Sequence, residues 1–193
     1  QLSVDYLSTR DFAMRPRLWL TLMSQNKGTL SFSPPFGYEL AARRVREDEA
    51  ASFDLSSWRV AGVGAEPIRT EPLEKFADLL TPSGFDRRSF VPCYGMAECS
   101  LAVTFAPLGQ GADVDHVDVN SLSEEQQARP LHPQQDSNAA RTTSFTNCGA
   151  PLPGYEVEIR DEQGQVLPER HCGTLYVRGP SIMSGYFGDL KST

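Results

Sequence analysis

The stretch from Trp58 to Val91 constrains the fold more than any other part of the chain. Trp58-Arg-Val-Ala-Gly-Val63 reads as a compact strand ending in a small-residue turn, Gly64-Ala65-Glu66-Pro67. Thr70 is placed to cap the helix that follows, with Glu71 and Glu74 in its positive first turn. Leu73, Phe76, Ala77 and Leu80 recur at helical spacing and form one apolar stripe. After the Pro82-Ser83-Gly84 turn, Phe90-Val91 begins another strand. Strand, turn, amphipathic helix and strand in that order point to a parallel α/β layer.

The flanks extend the alternation. Pro16 suits a first helical turn, and Leu18, Leu22 and Met23 repeat at helical spacing up to a stop at Gly28. Thr29–Ser33 reads as a short strand broken by Pro34-Pro35, and a helix over 36–46 would place Glu39 to pair with Arg43. A further strand covers Leu101–Phe105. Residues 1–107 are therefore expected to form a partial α/β subdomain. From about 108 the character changes. Residues 121–144, rich in Gln, Ser, Pro and Asn, read as a long surface loop. Tyr155–Arg160 and Thr174–Arg178 alternate as strands, with a hairpin-like turn at Glu162-Gln163-Gly164-Gln165. Residues 108–193 are expected to make a small β-rich lobe.

Composition removes several classes of function. The 193 residues carry a net charge of −7, which argues against nucleic acid as a main partner. Arg43, Arg44 and Arg46 form a local basic cluster, but Glu47, Asp48 and Glu49 follow at once, as on a solvated helix face. No run approaches the roughly 20 apolar residues that span a bilayer, so the chain is not expected to be transmembrane. The cysteines Cys93, Cys99, Cys148 and Cys172 contain no C-x-x-C pair, which speaks against a zinc site or a disulfide framework. A reducing, cytoplasmic setting is expected. The chain starts without Met and reads as a piece of something longer.

Two segments have the residue types for nucleotide chemistry. In Pro92-Cys-Tyr-Gly-Met-Ala-Glu98, a tyrosine beside a glycine turn can line a pocket wall, and Glu98 offers a hard oxygen to Mg²⁺ beside a phosphate. Gly64-Ala65-Glu66-Pro67, at the carboxyl end of a strand, is where open α/β sheets present backbone groups to nucleotides. Neither is specific alone, and no G-x-G-x-x-G or Walker-type loop occurs. Asp113, Asp115 and Glu124 imitate part of an EF-hand, but Asp118 stands at its obligatory glycine and Val117 at a ligand position. His116, His132 and His171 lack partners at metal spacing, and no G-x-S-x-G elbow is present.

Order and spacing add what the single motifs lack. Tyr94-Gly-Met-Ala-Glu98 resembles the Y-G-x-[TA]-E motif of adenylate-forming enzymes, which include acyl-CoA synthetases, luciferases and nonribosomal adenylation domains. Gly64-Ala65-Glu66-Pro67, about 30 residues upstream, is similar to that superfamily's adenine-side segment. Asn147-Cys-Gly-Ala-Pro-Leu-Pro-Gly154 and Gly173-Thr-Leu-Tyr-Val-Arg-Gly179, running on to Ser184-Gly-Tyr186, are similar to two downstream motifs. Arg15-Pro-Arg-Leu-Trp-Leu20, Pro35-Phe-Gly-Tyr-Glu-Leu40 and the Cys93 to Glu98 segment resemble fatty acyl-AMP ligases most.

That resemblance implies activation of a fatty acid with ATP to an acyl-adenylate, then transfer to an acyl carrier protein or a polyketide or nonribosomal synthetase. Tyr94 would stack on adenine, with Cys93, Gly95, Met96 and Ala97 around it. Gly64, Ala65, Glu66 and Pro67 would line the adenine pocket. Glu98 would be the catalytic carboxylate and Mg²⁺ ligand, and Phe36 and Tyr38 would lie near the acyl tunnel. Pro92 and Ala97 stand where amino-acid-activating relatives have Asn and Thr, and Thr174 where Glu is common. The phosphate loop, the ribose-binding Asp and the lobe with the catalytic Lys are missing, so the isolated chain is not expected to turn over. An acyl-CoA synthetase, a loading adenylation domain and a non-catalytic binding module are the alternatives.

Overall fold

The computed structural model describes residues 3–131, 141–189 and 191. They fall into two compact units, residues 1–92 with 106–113 and residues 93–105 with 114–193.

The first unit contains α1 (Thr9–Met14), α2 (Arg17–Gln25), β1 (Leu30–Ser33), α3 (Pro35–Arg44), α4 (Glu47–Ala50), β2 (Val60–Val63), α5 (Thr70–Leu80) and the start of β3 (Phe90–Met96). β1 pairs parallel with β2, Leu30 opposite Val60, and β2 pairs parallel with β3, Ala61 opposite Phe90. The parallel layer expected from the alternation is therefore present. Between β1 and β2 run α3 and α4, and between β2 and β3 runs α5, the long crossovers that parallel neighbours require. Pro35 opens α3 because its missing N–H is an orphan in the first turn anyway.

Burial follows the apolar stripes. Leu73, Phe76, Ala77 and Leu80 of α5 are all buried, as their spacing requires. Phe76 lies among Trp58, Tyr38 and Phe85, with ring centroids 5.1–6.1 Å away and near-perpendicular planes. Edge-to-face contacts of this kind add about 0.5–1.5 kcal/mol per pair beyond area burial. The unit therefore has its own aromatic core, whose polar tips are satisfied: Trp58 Nε1 donates to the Val60 carbonyl at 2.9 Å and Trp19 Nε1 to Ser31 Oγ at 2.9 Å.

The second unit contains the end of β3, β4 (Leu101–Phe105), β5 (Val114–Asp118), α6 (Val119–Glu124), β6 (Thr142–Thr146), β7 (Ala150–Pro151), β8 (Glu156–Arg160) and β9 (Thr174–Arg178). β4 runs antiparallel to both β3 and β7, so the parallel order does not extend to residue 107. Between Tyr94↔Thr104 and Gly95↔Ala102 the ladder shifts by one residue, leaving Val103 as the extra residue of a bulge. β5 pairs with β6 and β8 with β9, all antiparallel.

Four local expectations need correction. Thr70 is the first residue of α5 rather than its cap; Arg69 stands at that position with no side-chain bond to the helix. The helix expected over 36–46 spans Pro35–Arg44, because Val45 is already extended. The segment from 121 is not loop throughout: Asp118 caps α6 by accepting from the Ser121 N–H at 2.8 Å. Residues 132–140, including His132, lie outside the described residues. The Glu162–Gln165 turn does not join β8 to β9. It folds the chain back so that Val166 bridges Arg160, while Arg160 pairs with Thr174 of β9.

Candidate functional site

In the first unit, β2 is buried through Val63 and Gly64, and the chain then surfaces at Ala65, Glu66 and Pro67. Ala65 has φ +70°, the left-handed region that costs an L-residue roughly 1–2 kcal/mol. Such strain concentrates at ligand-binding turns. Glu66 is engaged locally, its Oε1 accepting the Phe36 N–H at 2.9 Å. Pro34, the residue before α3, has no side-chain acceptor, so Glu66 caps the helix from a position 30 residues away.

The two acyl-side candidates separate at this point. Phe36 is about half exposed, whereas Tyr38 is fully buried and donates its hydroxyl to the Gly62 carbonyl at 2.9 Å. Tyr38 is a core residue joining α3 to β2.

In the second unit, Tyr94 is 40% exposed, with the bulge immediately after it; bulges commonly re-aim side chains beside sites. Gly95 is required by space alone. A Cβ built there would sit 1.7 Å from the Leu101 carbonyl oxygen. Met96 ends β3, and Ala97–Cys99 make one 3-10 turn that carries Glu98. Ser100 and Leu101 follow with φ +55° and +101°, both outside the range that L-residues prefer.

Glu98 is half-buried and is held by a residue that the motifs did not mark as part of the site. Tyr186 donates its hydroxyl to Glu98 Oε1 at 2.5 Å, and the Glu98 carbonyl accepts from the Met183 N–H at 2.7 Å. The Tyr186 hydrogen bond, helped by a backbone one, holds the Glu98 carboxyl below its usual range. The same bond pushes the Tyr186 phenol above its ordinary value. The available signal was the Gly185-Tyr186 pair, but nothing in a sequence says that a residue 88 positions away returns to the motif glutamate.

Cys93 is half-buried, and burial raises its thiol pKa, with Cys148 adding to the shift. The downstream N-x-G-x-P-x-P-G motif is a pair of turns. Asn147 Oδ1 accepts the Gly149 N–H at 2.9 Å, and Tyr155 N–H closes a turn onto the Leu152 carbonyl at 2.9 Å.

Among the described residues, no three His, Cys, Asp or Glu side chains gather as a metal cage. A lone accessible carboxylate does fit Mg²⁺, which keeps its waters and is commonly held by one or two carboxylates plus substrate phosphates. A shallow cleft of about 240 Å³ lies elsewhere, lined by Arg17, Thr21, Gln25, Glu49 and Phe53 among others, and none of the expected site residues borders it. Asp115 is ion-paired with Arg170 at 2.9 Å, a structural use of that acidic residue.

Residues 4–187 match the family of AMP-binding enzymes. The chain belongs to that family. Among AMP-binding enzymes, a provisionally named acyl-CoA synthetase of Caulobacter vibrioides is 44% identical over 193 residues, all of this chain and 33% of that protein. The medium-chain-fatty-acid acyl-carrier-protein ligase JamA of Moorena producens is 35% identical over 187 residues, 94% of this chain and 30% of that protein. A solved structure from work on the fatty acyl-adenylate ligases of E. coli and L. pneumophila superposes with a TM-score of 0.92 at 49% identity, covering 99% of this chain and 34% of that one. The mixed α/β fold with its parallel strands is thus that of adenylate-forming enzymes. The chain spans about a third of the length of these relatives. Among the described residues, no helix is long and apolar enough to cross a membrane.

Proposed function

We propose that the protein carrying this chain activates fatty acids with ATP and passes the acyl group to an acyl carrier protein thiol. The substrate carboxylate oxygen attacks the α-phosphorus of ATP; the new P–O bond forms as the bond to pyrophosphate breaks, and pyrophosphate leaves with its electron pair. No side-chain nucleophile is needed, so the residues act by positioning and by charge. The observation that carries this reading is the Glu98 turn: an accessible carboxylate, oriented by Tyr186, in a chain 49% identical to a fatty acyl-adenylate ligase structure.

Tyr94 offers an exposed aromatic face to the adenine base, flanked in sequence by Cys93, Gly95, Met96 and Ala97. The Gly64–Pro67 turn offers backbone groups to the nucleotide; within it Glu66 acts through its cap on α3. Phe36 is the residue we assign to acyl contact, with Tyr38 holding α3 in place beneath it. Glu98 is the residue that would hold Mg²⁺, which when bound would neutralise charge on the phosphate oxygens.

The test is ATP-dependent pyrophosphate exchange by the full-length protein with fatty acids of several lengths, with and without coenzyme A. Exchange with accumulating acyl-adenylate and no acyl-CoA supports the carrier-protein route. Acyl-CoA product moves the assignment toward a synthetase, the reading that the Caulobacter relative's name favours. Glu98→Ala should lower exchange by on the order of 10²-fold. Near-normal exchange in that variant removes Glu98 from the chemistry, and no exchange with any carboxylate by the wild type leaves a binding module.

A further inference from the structure

We propose that Tyr186 is a positioning residue for Glu98: its hydroxyl sets the orientation in which the carboxylate meets the cation of metal-bound ATP. The inference rests on the adenylate-forming reading above and deepens it.

The turn carrying Glu98 is short and locally weak. Three residues of 3-10 helix precede two non-glycine residues at φ +55° and +101°, a combination that persists only where the surroundings impose it. The surroundings that do so include the segment from Ser181 to Tyr186. Ser181 Oγ donates to the Cys99 carbonyl at 2.6 Å, and Ser100 Oγ donates to the Ser181 carbonyl at 3.3 Å. The Met183 N–H reaches the Glu98 carbonyl at 2.7 Å. These bonds hold the backbone, whereas the Tyr186 hydroxyl is the side-chain donor that acts on the carboxylate itself, beside a backbone bond from Glu98's own main chain.

A glutamate side chain has three rotatable bonds, so a fixed backbone leaves its oxygens free to sweep. One donated bond to Oε1 removes that freedom. It does not exhaust the group, because a carboxylate has about four lone-pair sites. Tyrosine suits this work: the residue is 44% exposed, its ring is rigid, and the hydroxyl is its one polar side-chain group. Outer-shell donors of this type commonly change metal affinity by about 10–100-fold.

The experiment uses the full-length protein and Mn²⁺ as the probe, with its binding read by electron paramagnetic resonance in the presence of a non-hydrolysable ATP analogue. Tyr186→Phe removes one oxygen atom and should weaken Mn²⁺ binding about tenfold or more. The metal concentration for half-maximal pyrophosphate exchange should rise in parallel, with the melting temperature nearly unchanged. In a Glu98→Gln background the same substitution should add no further loss. Glu98→Asp, which withdraws the carboxylate from Tyr186 by one methylene, should reproduce the Mn²⁺ defect should the Phe variant fold poorly. Wild-type Mn²⁺ affinity in Tyr186→Phe overturns the proposal, and so does an undiminished further loss on the Glu98→Gln background. In both cases exchange by the wild type still stands, so the adenylate-forming reading survives; absent exchange in the wild type overturns both.

Discussion

Substituting Gly95 by alanine isolates how tightly the candidate site is built. The added Cβ would lie 1.7 Å from the Leu101 carbonyl oxygen, 2.7 Å from its carbon and 3.2 Å from Ala102 Cα. Real Cβ atoms essentially never approach closer than 3.0 Å, so the backbones must part by more than 1 Å. No side chain can swing aside, because every obstructing atom is main chain. The pairs Gly95↔Ala102 and Met96↔Leu101 sit at this point, and Leu101 is already in a strained conformation. Overpacking costs about 1–3 kcal/mol, and each ladder hydrogen bond lost adds about 1 kcal/mol. We therefore expect Gly95→Ala to destabilise its unit by about 3 kcal/mol. The assay is urea unfolding at constant m-value, with Gly109→Ala as control. Nothing lies within 4 Å of a Cβ at Gly109, so its cost comes from φ +75° alone, about 1–2 kcal/mol. A Gly95→Ala protein within about 0.5 kcal/mol of wild type, or no worse than the Gly109 variant, would refute the steric argument.

The remaining predictions are smaller in scale. Glu66→Ala should cost about 0.5–2 kcal/mol through the lost cap on α3, with Glu66→Gln recovering most of it; equal losses in both variants would deny the capping role. Burial raises the Cys93 and Cys148 thiols, so stability they carry is intact below the ordinary thiol value of about 8.5 and is lost as pH rises through their higher values. Alkylation of both should accordingly reach half its maximal rate above about pH 8.5, and a profile matching a free cysteine peptide would contradict the burial.

Where periodicity reports burial, the sequence was readable. The stripe of Leu73, Phe76, Ala77 and Leu80 marks α5, and Glu39 and Arg43 do approach within 3.9 Å on α3. Where the outcome depends on distant partners, it was not. Thr70 carries good capping chemistry, yet the helix begins on it, because Arg69 already holds the extended conformation of a cap. The polar composition from residue 121 hides α6, which is nucleated by Asp118 just outside that window. Glu162–Gln165 is a genuine turn, but it returns Val166 to Arg160 as an isolated bridge, while the ladder of β8 is made with β9 from Thr174 on. At the site, the motif Tyr94–Glu98 was visible as residue types, whereas Tyr186 as the partner of Glu98 and Glu66 as a cap on α3 are facts of tertiary structure.

The bonds that hold the Glu98 turn also set an order of events as the chain folds. They join positions separated by 81 to 88 residues. Closing a loop of that length costs about 4 kcal/mol in chain entropy, comparable to all these hydrogen bonds together at about 1 kcal/mol each. The β4–β7 pairing, which sets residues 150 and 151 beside 105 and 104, shortens the remaining loop between Glu98 and Tyr186 to about 40 residues, at a cost nearer 3 kcal/mol once that pairing is made. On a ribosome, then, the strands around Tyr94 can form before the carboxylate is set, because its partner Tyr186 lies 88 residues further along the chain.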